Sequence, residues 1–264
     1  MTLSLSLQER YQAGDSPLHH LDPRVKVVMT LLLILGVVLT PEGAWPAYPL
    51  LWAVIGGLAA VGGLGAVRVA RAGSVALPFA LAAVTLLFTV PGQPIASIFG
   101  LPITDAGLTR FLSIMIRSWL AVQAALVLAM STHFTDLLWA LGSLRVPGTL
   151  VAIITFMYRY LFTLKDEAAR LLRARAARSG ILPGYRSGGP LFWRARVAGG
   201  MIGNLFLRSY ERSERVYAAM LARGYSGQMR MLTPPQLTWG AIWWGAVPVA
   251  ALLLVEMLAF LVWT

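Results

Sequence analysis

Leu164–Gly180, LKDEAARLLRARAARSG, and Arg208–Gly227, RSYERSERVYAAMLARGYSG, decide how this chain is organised. Both repeat Ala and Arg at helical spacing, and both lie between long apolar runs. Residues 131–238 hold 15 of the 22 Lys and Arg and 5 of the 11 Asp and Glu, so +10 of the formal net charge of +11 sits there. With 58% apolar residues, 12% charged and a mean hydropathy of +0.70, the composition is that of an all-α polytopic membrane protein. A membrane protein that gathers its charge into one helical insert is built to grip something in the cytoplasm. The Arg residues alternate with Leu, Ala, Val and Phe, and no recognition motif accompanies them, so nucleic acid is not an expected partner. Membrane lipids are.

The chain has no cysteine, which excludes a disulfide framework and a thiolate metal site. Its first 24 residues contain Glu9, Asp15 and Asp22 and no apolar core. They are therefore not read as a cleaved signal peptide, and the first span is expected to stay as an anchor.

About five transmembrane helices are expected: Val25–Leu39, Ala44–Val67, Ser74–Val90 with Pro78 near its start, Leu108–Met130, and Leu237–Val262. The glycines of the second, among them Gly56, Gly57, Gly62, Gly63 and Gly65, suit close helix contact. Arg24 and Lys26 flank the first span and Arg68 and Arg71 link the second to the third, whereas the opposite connections carry Glu42 and Asp105. The positive-inside rule then puts the N-terminus in the cytoplasm and the C-terminus outside. Three parts follow: residues 1–130 with four spans, residues 131–236 as cytoplasmic or interfacial helices, and residues 237–264 as the last span.

Leu150–Leu164 is apolar but short, and Arg159 interrupts it. Crossing there would strand the Arg-rich helices outside, so it is read as lying at the inner interface. A short helix over Ser131–Gly142, opened by the capping-competent STHFTD, ends at Val146-Pro147-Gly148. A long helix then runs from about Thr149 to Ser179, stopped by Gly180 and Pro183. After the Gly/Ser/Pro-rich stretch 184–190, another runs from Leu191 or Arg196 to Arg223, closed by Gly224. Asp166 and Glu167 precede Arg170 by four and three residues, and Glu211 precedes Arg215 by four, so local ion pairs are expected to steady the polar faces; Arg175 is a further candidate for supporting the coupling helices. Both helices end alike, in Ala177-Arg178-Ser179-Gly180 and Ala222-Arg223-Gly224. A small residue on each side of the Arg lets a partner wall approach, and the planar guanidinium offers a fixed fork to carboxylates and carbonyls. An Arg in a last turn also complements the helix dipole, but two ends of one design suggest a paired docking device.

These residues resemble the T component of energy-coupling-factor transporters, the coupling subunit EcfT, in its cobalt-type CbiQ branch. The resemblance rests on GDSPLHHLDPRVK (Gly14–Lys26), on FMYRYLFTLKDEAARLLRARAARSG (Phe156–Gly180) and on Ala222–Gly224, and it spans essentially the whole chain. It implies a non-catalytic subunit of an ATP-driven importer in the bacterial inner membrane. Two ABC-type ATPase subunits, which bind the ATP and Mg, would dock on two Ala-Arg-Gly signatures, here Ala177-Arg178-Ser179 and Ala222-Arg223-Gly224; Ser179 departs from the family's Gly. A cobalt-type substrate-binding membrane subunit and a small accessory membrane subunit would complete the complex, with nickel or a vitamin as alternative cargo. Independently of the resemblance, the chain contains no G-x-x-x-x-G-K-[ST], and its only lysines, Lys26 and Lys165, follow Val and Leu, so ATP hydrolysis is expected elsewhere.

Other constellations are weaker. His19, His20 and His133 lack an acidic or Cys partner cluster, and no metal site is expected on this chain. Asp22-Pro23-Arg24 reads as a helix start, with contact to the substrate subunit as the functional alternative. Met157 is a further candidate for that contact, within a set of methionines (Met201, Met220, Met229, Met231) suited to adaptable packing. Arg117 and Glu256 fall inside expected spans, where they should pair, face another subunit or, for Glu256, snorkel outward. An ordinary ABC-importer permease and a membrane lipid or phosphate enzyme are the rival readings. The first is disfavoured by two Arg-ended helices in one chain, the second by the lack of paired carboxylates, metal-ligand spacing or a phosphate loop.

Overall fold

Asp22 opens the helix on which the first half of the chain is built. Its Oδ1 accepts the Arg24 backbone N–H at 2.8 Å, and Pro23 follows where a missing N–H costs nothing. The computed structural model describes residues 11–76, 78, 81–98, 101–178, 190–227, 235 and 237–263. It divides into two compact units, 1–144 with 233–264 and 145–232.

The first unit begins with the turn α1 (Pro17–His20), followed by α2 (Pro23–Leu39), α3 (Ala47–Val61) and α4 (Ala66–Gly73). The turn α5 (Leu86–Thr89), a two-stranded antiparallel ribbon (β1, Pro94–Ile98; β2, Leu101–Thr104), α6 (Asp105–Ser131), α7 (Phe134–Ser143) and α10 (Trp239–Trp263) complete it. Helix α2 packs on α6, α7 and α10, and α6 also receives α3 and α4. Leu33 and Val37 of α2, Leu51 and Ile55 of α3, Leu120 of α6 and Leu252 of α10 form the buried centre. Gly36 lets α10 come close to α2, since a Cβ there would meet Leu252 Cδ2 at 2.6 Å. Approach through a small residue is how apolar helices gain packing without a solvent-driven hydrophobic term.

Two helices are long and apolar enough to cross a membrane, Asp105–Ser131 and Trp239–Val262. They coincide with the expected fourth and last spans. The other expected spans look different. The first is a helix of 17 residues. The second stops at Val61, and the chain turns through Gly63 and Gly65, whose φ angles of 65° and 76° suit Gly far better than a residue with a Cβ. These glycines make a corner, not the expected helix contact. In the third, Ser74–Val90, the described residues form 3₁₀ turns at Ser74–Ala76 and Leu81–Thr85 before α5. The helix expected over Ser131–Gly142 starts later, at Phe134, because α6 continues through Ser131. No side chain caps α7, and it clusters with the first unit, where Leu138 and Ala140 are buried.

Lys26 closes the end of this unit at which α2 begins and α6 finishes. It is 2% exposed, and its ammonium donates to the carbonyls of His19 and Ser131 at 3.0 Å each. Ser131 ends α6, so the cation also faces the negative end of a helix dipole. His19 is held by Ser16 Oγ and by Gln12 O, His20 meets Asp15, and His133 lies against the Tyr11 ring.

Glu256 is 8% exposed and lies 2.8 Å from the Thr40 hydroxyl of α2. The outward-snorkelling reading is therefore set aside: the carboxylate faces the bundle. Arg117 of α6 is half-buried, and its Nε and Nη2 are buried without hydrogen-bond partners among the described residues.

Replacing Lys26 with Met keeps the stem's bulk and leaves both carbonyls without their charged donor. The variant should lose about 2 kcal/mol of stability, read as a lower thermal midpoint in detergent. An unchanged midpoint would show that the ammonium does not tie these elements together.

Candidate functional site

The second unit is two long helices, α8 (Gly148–Arg178) and α9 (Leu191–Ala222). Helix α8 is continuous from Gly148, so Leu150–Leu164 and the Arg-rich stretch are one rod. At 1.5 Å per residue, each helix is roughly 45 Å long. They run antiparallel. Ile153 and Phe156 of α8 share a cavity with Val216 and Met220 of α9, whereas Leu171 and Leu172 share another with Met201 and Ile202.

The second helix end is fully described and explains its sequence. Arg223 caps α9, Gly224 has φ 80°, the Gly224 N–H reaches Leu221 O at 2.9 Å and the Tyr225 N–H reaches Met220 O at 3.0 Å. This pair of bonds is a Schellman closure, which needs a left-handed residue after the cap. Tyr225 then packs edge-on against Phe156 of α8, ring centres 6.5 Å apart. Gly224 thus stops the helix directly after Arg223, leaving Ala222 and Arg223 exposed at its tip. At the other end, Ala177 and Arg178 are the exposed last residues of α8. Ser179, Gly180 and Pro183, the rest of that expected ending, lie outside the described residues, as do Met229 and Met231.

Among the described residues, one ionic cluster joins the helices. Glu167, 7% exposed, accepts Arg212 Nη2 at 3.1 Å and Arg208 Nη1 at 3.5 Å. Neither arginine carries a signature, and sequence reasoning missed both. The expected local pairs do not form: among the described residues no ion pair involves Asp166, Arg170, Glu211 or Arg215. Glu167 falls on the face turned toward α9, where a cross-helix partner is nearer than Arg170, and Asp166, Arg170, Glu211 and Arg215 remain on exposed faces. Arg175 lines the smaller cavity between the helices.

The candidates for substrate-subunit contact are split between the units. Asp22 and Pro23 are buried, and Arg24 lies over the Trp139 ring at 4.2 Å, so these three are engaged in the first unit's own packing. Met157 is 60% exposed on α8. It continues a row of exposed apolar side chains, Leu150, Ile153 and Leu161, spaced as one helix face.

Arg178 and Arg223 are thus exposed at opposite ends of the antiparallel pair. The family model described as cobalt transport protein, CbiQ, matches residues 14–234. The chain belongs to that family. Among its relatives, the energy-coupling factor transporter transmembrane protein EcfT of Thermanaerovibrio acidaminovorans is 30% identical over 94% of this chain and 95% of its own length. The EcfT of Limosilactobacillus fermentum is 28% identical over 85% of the chain and 86% of its own length. The cobalt transport protein CbiQ of Rhodobacter capsulatus is 30% identical over 51% of the chain and 52% of its own length. This chain is accordingly an EcfT/CbiQ-type membrane transport component that works with partner subunits. The two apolar helices, α6 and α10, fit that assignment.

The closure after Arg223 gives a local prediction. Gly224→Ala should cost about 1–2 kcal/mol at this helix end, the penalty of a left-handed L-residue. Amide hydrogen exchange should show lost protection at residues 224 and 225 with the core of α9 unchanged. Unaltered protection there would contradict the closure.

Proposed function

We propose that this chain is the coupling subunit of an energy-coupling-factor importer, holding two ABC-type ATPase subunits through Arg178 and Arg223. The observation that carries the reading is the shared design of the two exposed tips, set at opposite ends of an antiparallel pair. Ala177 and Ala222 leave room for a partner wall, and the guanidiniums supply charge-assisted hydrogen bonds to acceptors on it. Ser179 takes the place of the second small residue at the first tip. ATP and Mg belong to the ATPase subunits, and nucleotide-driven closure moves the two rods against each other as packed helices.

The exposed row Leu150, Ile153, Met157 and Leu161 fits the apolar surface of a substrate-binding membrane subunit, with a small accessory membrane subunit beside it. Co²⁺ is the proposed cargo, on the family description and the N-terminal GDSPLHHLDPRVK; Ni²⁺ is the alternative. The site for the ion lies on the substrate-binding subunit.

The membrane part is proposed to be multi-pass, with about five crossings, in a bacterial inner membrane and with a cytoplasmic N-terminus. Two contacts support an assignment of ends within the first unit. Arg68 Nη1 donates to Gln12 Oε1 at 3.2 Å, grouping the N-terminal segment with the basic link after α3. Arg110 pairs with Glu42 at 2.9 Å, grouping the turn after α2 with the start of α6. The first end then gathers Arg24, Lys26, Arg68 and Arg71, an excess of basic residues of the kind the positive-inside rule puts in the cytoplasm. Helices α2 and α3, with 17 and 15 residues, would cross where the bilayer is thinned.

Copurification in detergent with a pair of cytoplasmic ABC ATPases tests the docking. Arg178→Glu and Arg223→Glu should each weaken ATPase retention by roughly tenfold or more, and the double change should abolish it while the chain elutes as before. Retention undiminished in the double variant would sink the proposal.

A further inference from the structure

We infer that the Glu167–Arg212–Arg208 cluster is the pivot of the two rods: a positioning device that fixes where α8 and α9 cross and makes their tips move together. The inference rests on the coupling role proposed above for its purpose, but its geometry stands alone.

Three observations carry it. First, Glu167 is the only described carboxylate buried in this unit, and two cations from the facing helix converge on its two oxygens. A desolvated carboxylate bound from both sides resists sliding, because movement by one turn would leave it buried and unpaired.

Second, the rods separate on both sides of the cluster. A cavity of about 510 Å³ opens toward the start of α8, with Ile153 and Phe156 facing Val216 and Met220. Another of about 240 Å³ opens the other way, between Leu171 and Ile202. Apart from the Phe156–Tyr225 ring contact just beyond α9, open cavities flank the cluster, and the ionic contact is the directional link between the two helices.

Third, the lever arms match. Arg178 follows Glu167 by 11 residues, and Arg223 follows Arg212 by 11. Each arm is therefore about 16 Å long, pointing to opposite ends of the antiparallel pair. A partner pulling on one tip turns its rod about a point equally distant from the other tip. Two identical or paralogous partners would thus work against a symmetric load.

The chain has no cysteine, so spin labels can be placed cleanly. Ala174 and Ala219 are exposed and lie seven residues beyond Glu167 and Arg212 respectively, one on each arm. Double electron–electron resonance between Ala174→Cys and Ala219→Cys should give one narrow distance distribution in the isolated full-length chain. Glu167→Gln should broaden it. Arg212→Lys, which keeps the charge but loses the fork, should broaden it less and guards against the harsher variant failing to fold. Combining Glu167→Gln with Arg212→Gln should broaden it no further than Glu167→Gln alone, since both remove one contact. In the complex with ATPases, nucleotide should shift the wild-type distance, and Glu167→Gln should lose that shift while retaining the ATPases.

A distribution in Glu167→Gln as narrow as wild type, with the nucleotide shift intact, would overturn the pivot. Failure of the wild-type chain to retain ATPases would instead overturn the docking proposal. The isolated-chain comparison would then still decide whether the cluster sets the crossing.

Discussion

A carboxylate removed from water has to be met by cations, and in the second unit that requirement fixes how two long helices lie. Glu167 sits near the middle of α8, and Arg212 and Arg208 near the middle of α9. The ion cluster picks one register. The positions of Arg178 and Arg223 at opposite tips, and any use a partner makes of them, follow from that choice.

The first unit answers a similar problem with a buried ammonium. Lys26 binds the carbonyls of His19 and Ser131, joining the N-terminal turn, the start of α2 and the end of α6. Around it, α2 serves as the common wall for α6, α7 and α10. Close approach at Gly36 supplies the packing that lipid-like surroundings do not drive. Each unit thus uses a buried charge, Lys26 in the first and Glu167 in the second, to tie its elements together.

Features with a local cause were legible in the sequence. Asp22-Pro23 announces a helix start, Gly224 a helix end, and the unbroken apolar runs in α6 and α10 their length. The two rods and the exposed arginines at their ends follow from the same kind of signal. What depended on a neighbour was not legible. Glu167 could have paired with Arg170 on its own helix, and only the packing of α9 shows that it reaches Arg212 instead. Gly63 and Gly65 read as contact surface, and only their positive φ shows the corner. The apolar run Ser74–Val90 reads as one span, and its pattern does not say that Ser74–Ala76 and Leu81–Thr85 take 3₁₀ form. Glu256 pointed inward because Thr40 of α2 faces it, a pairing 216 residues apart in sequence.

The central claim is that one chain presents two equivalent docking tips about a shared pivot. Native mass spectrometry of the detergent-purified complex measures this most directly. The account predicts one copy of this chain carrying two ATPase subunits, with a species carrying one ATPase on the way to dissociation. A complex with one ATPase per chain, or two copies of this chain per ATPase pair, would contradict it.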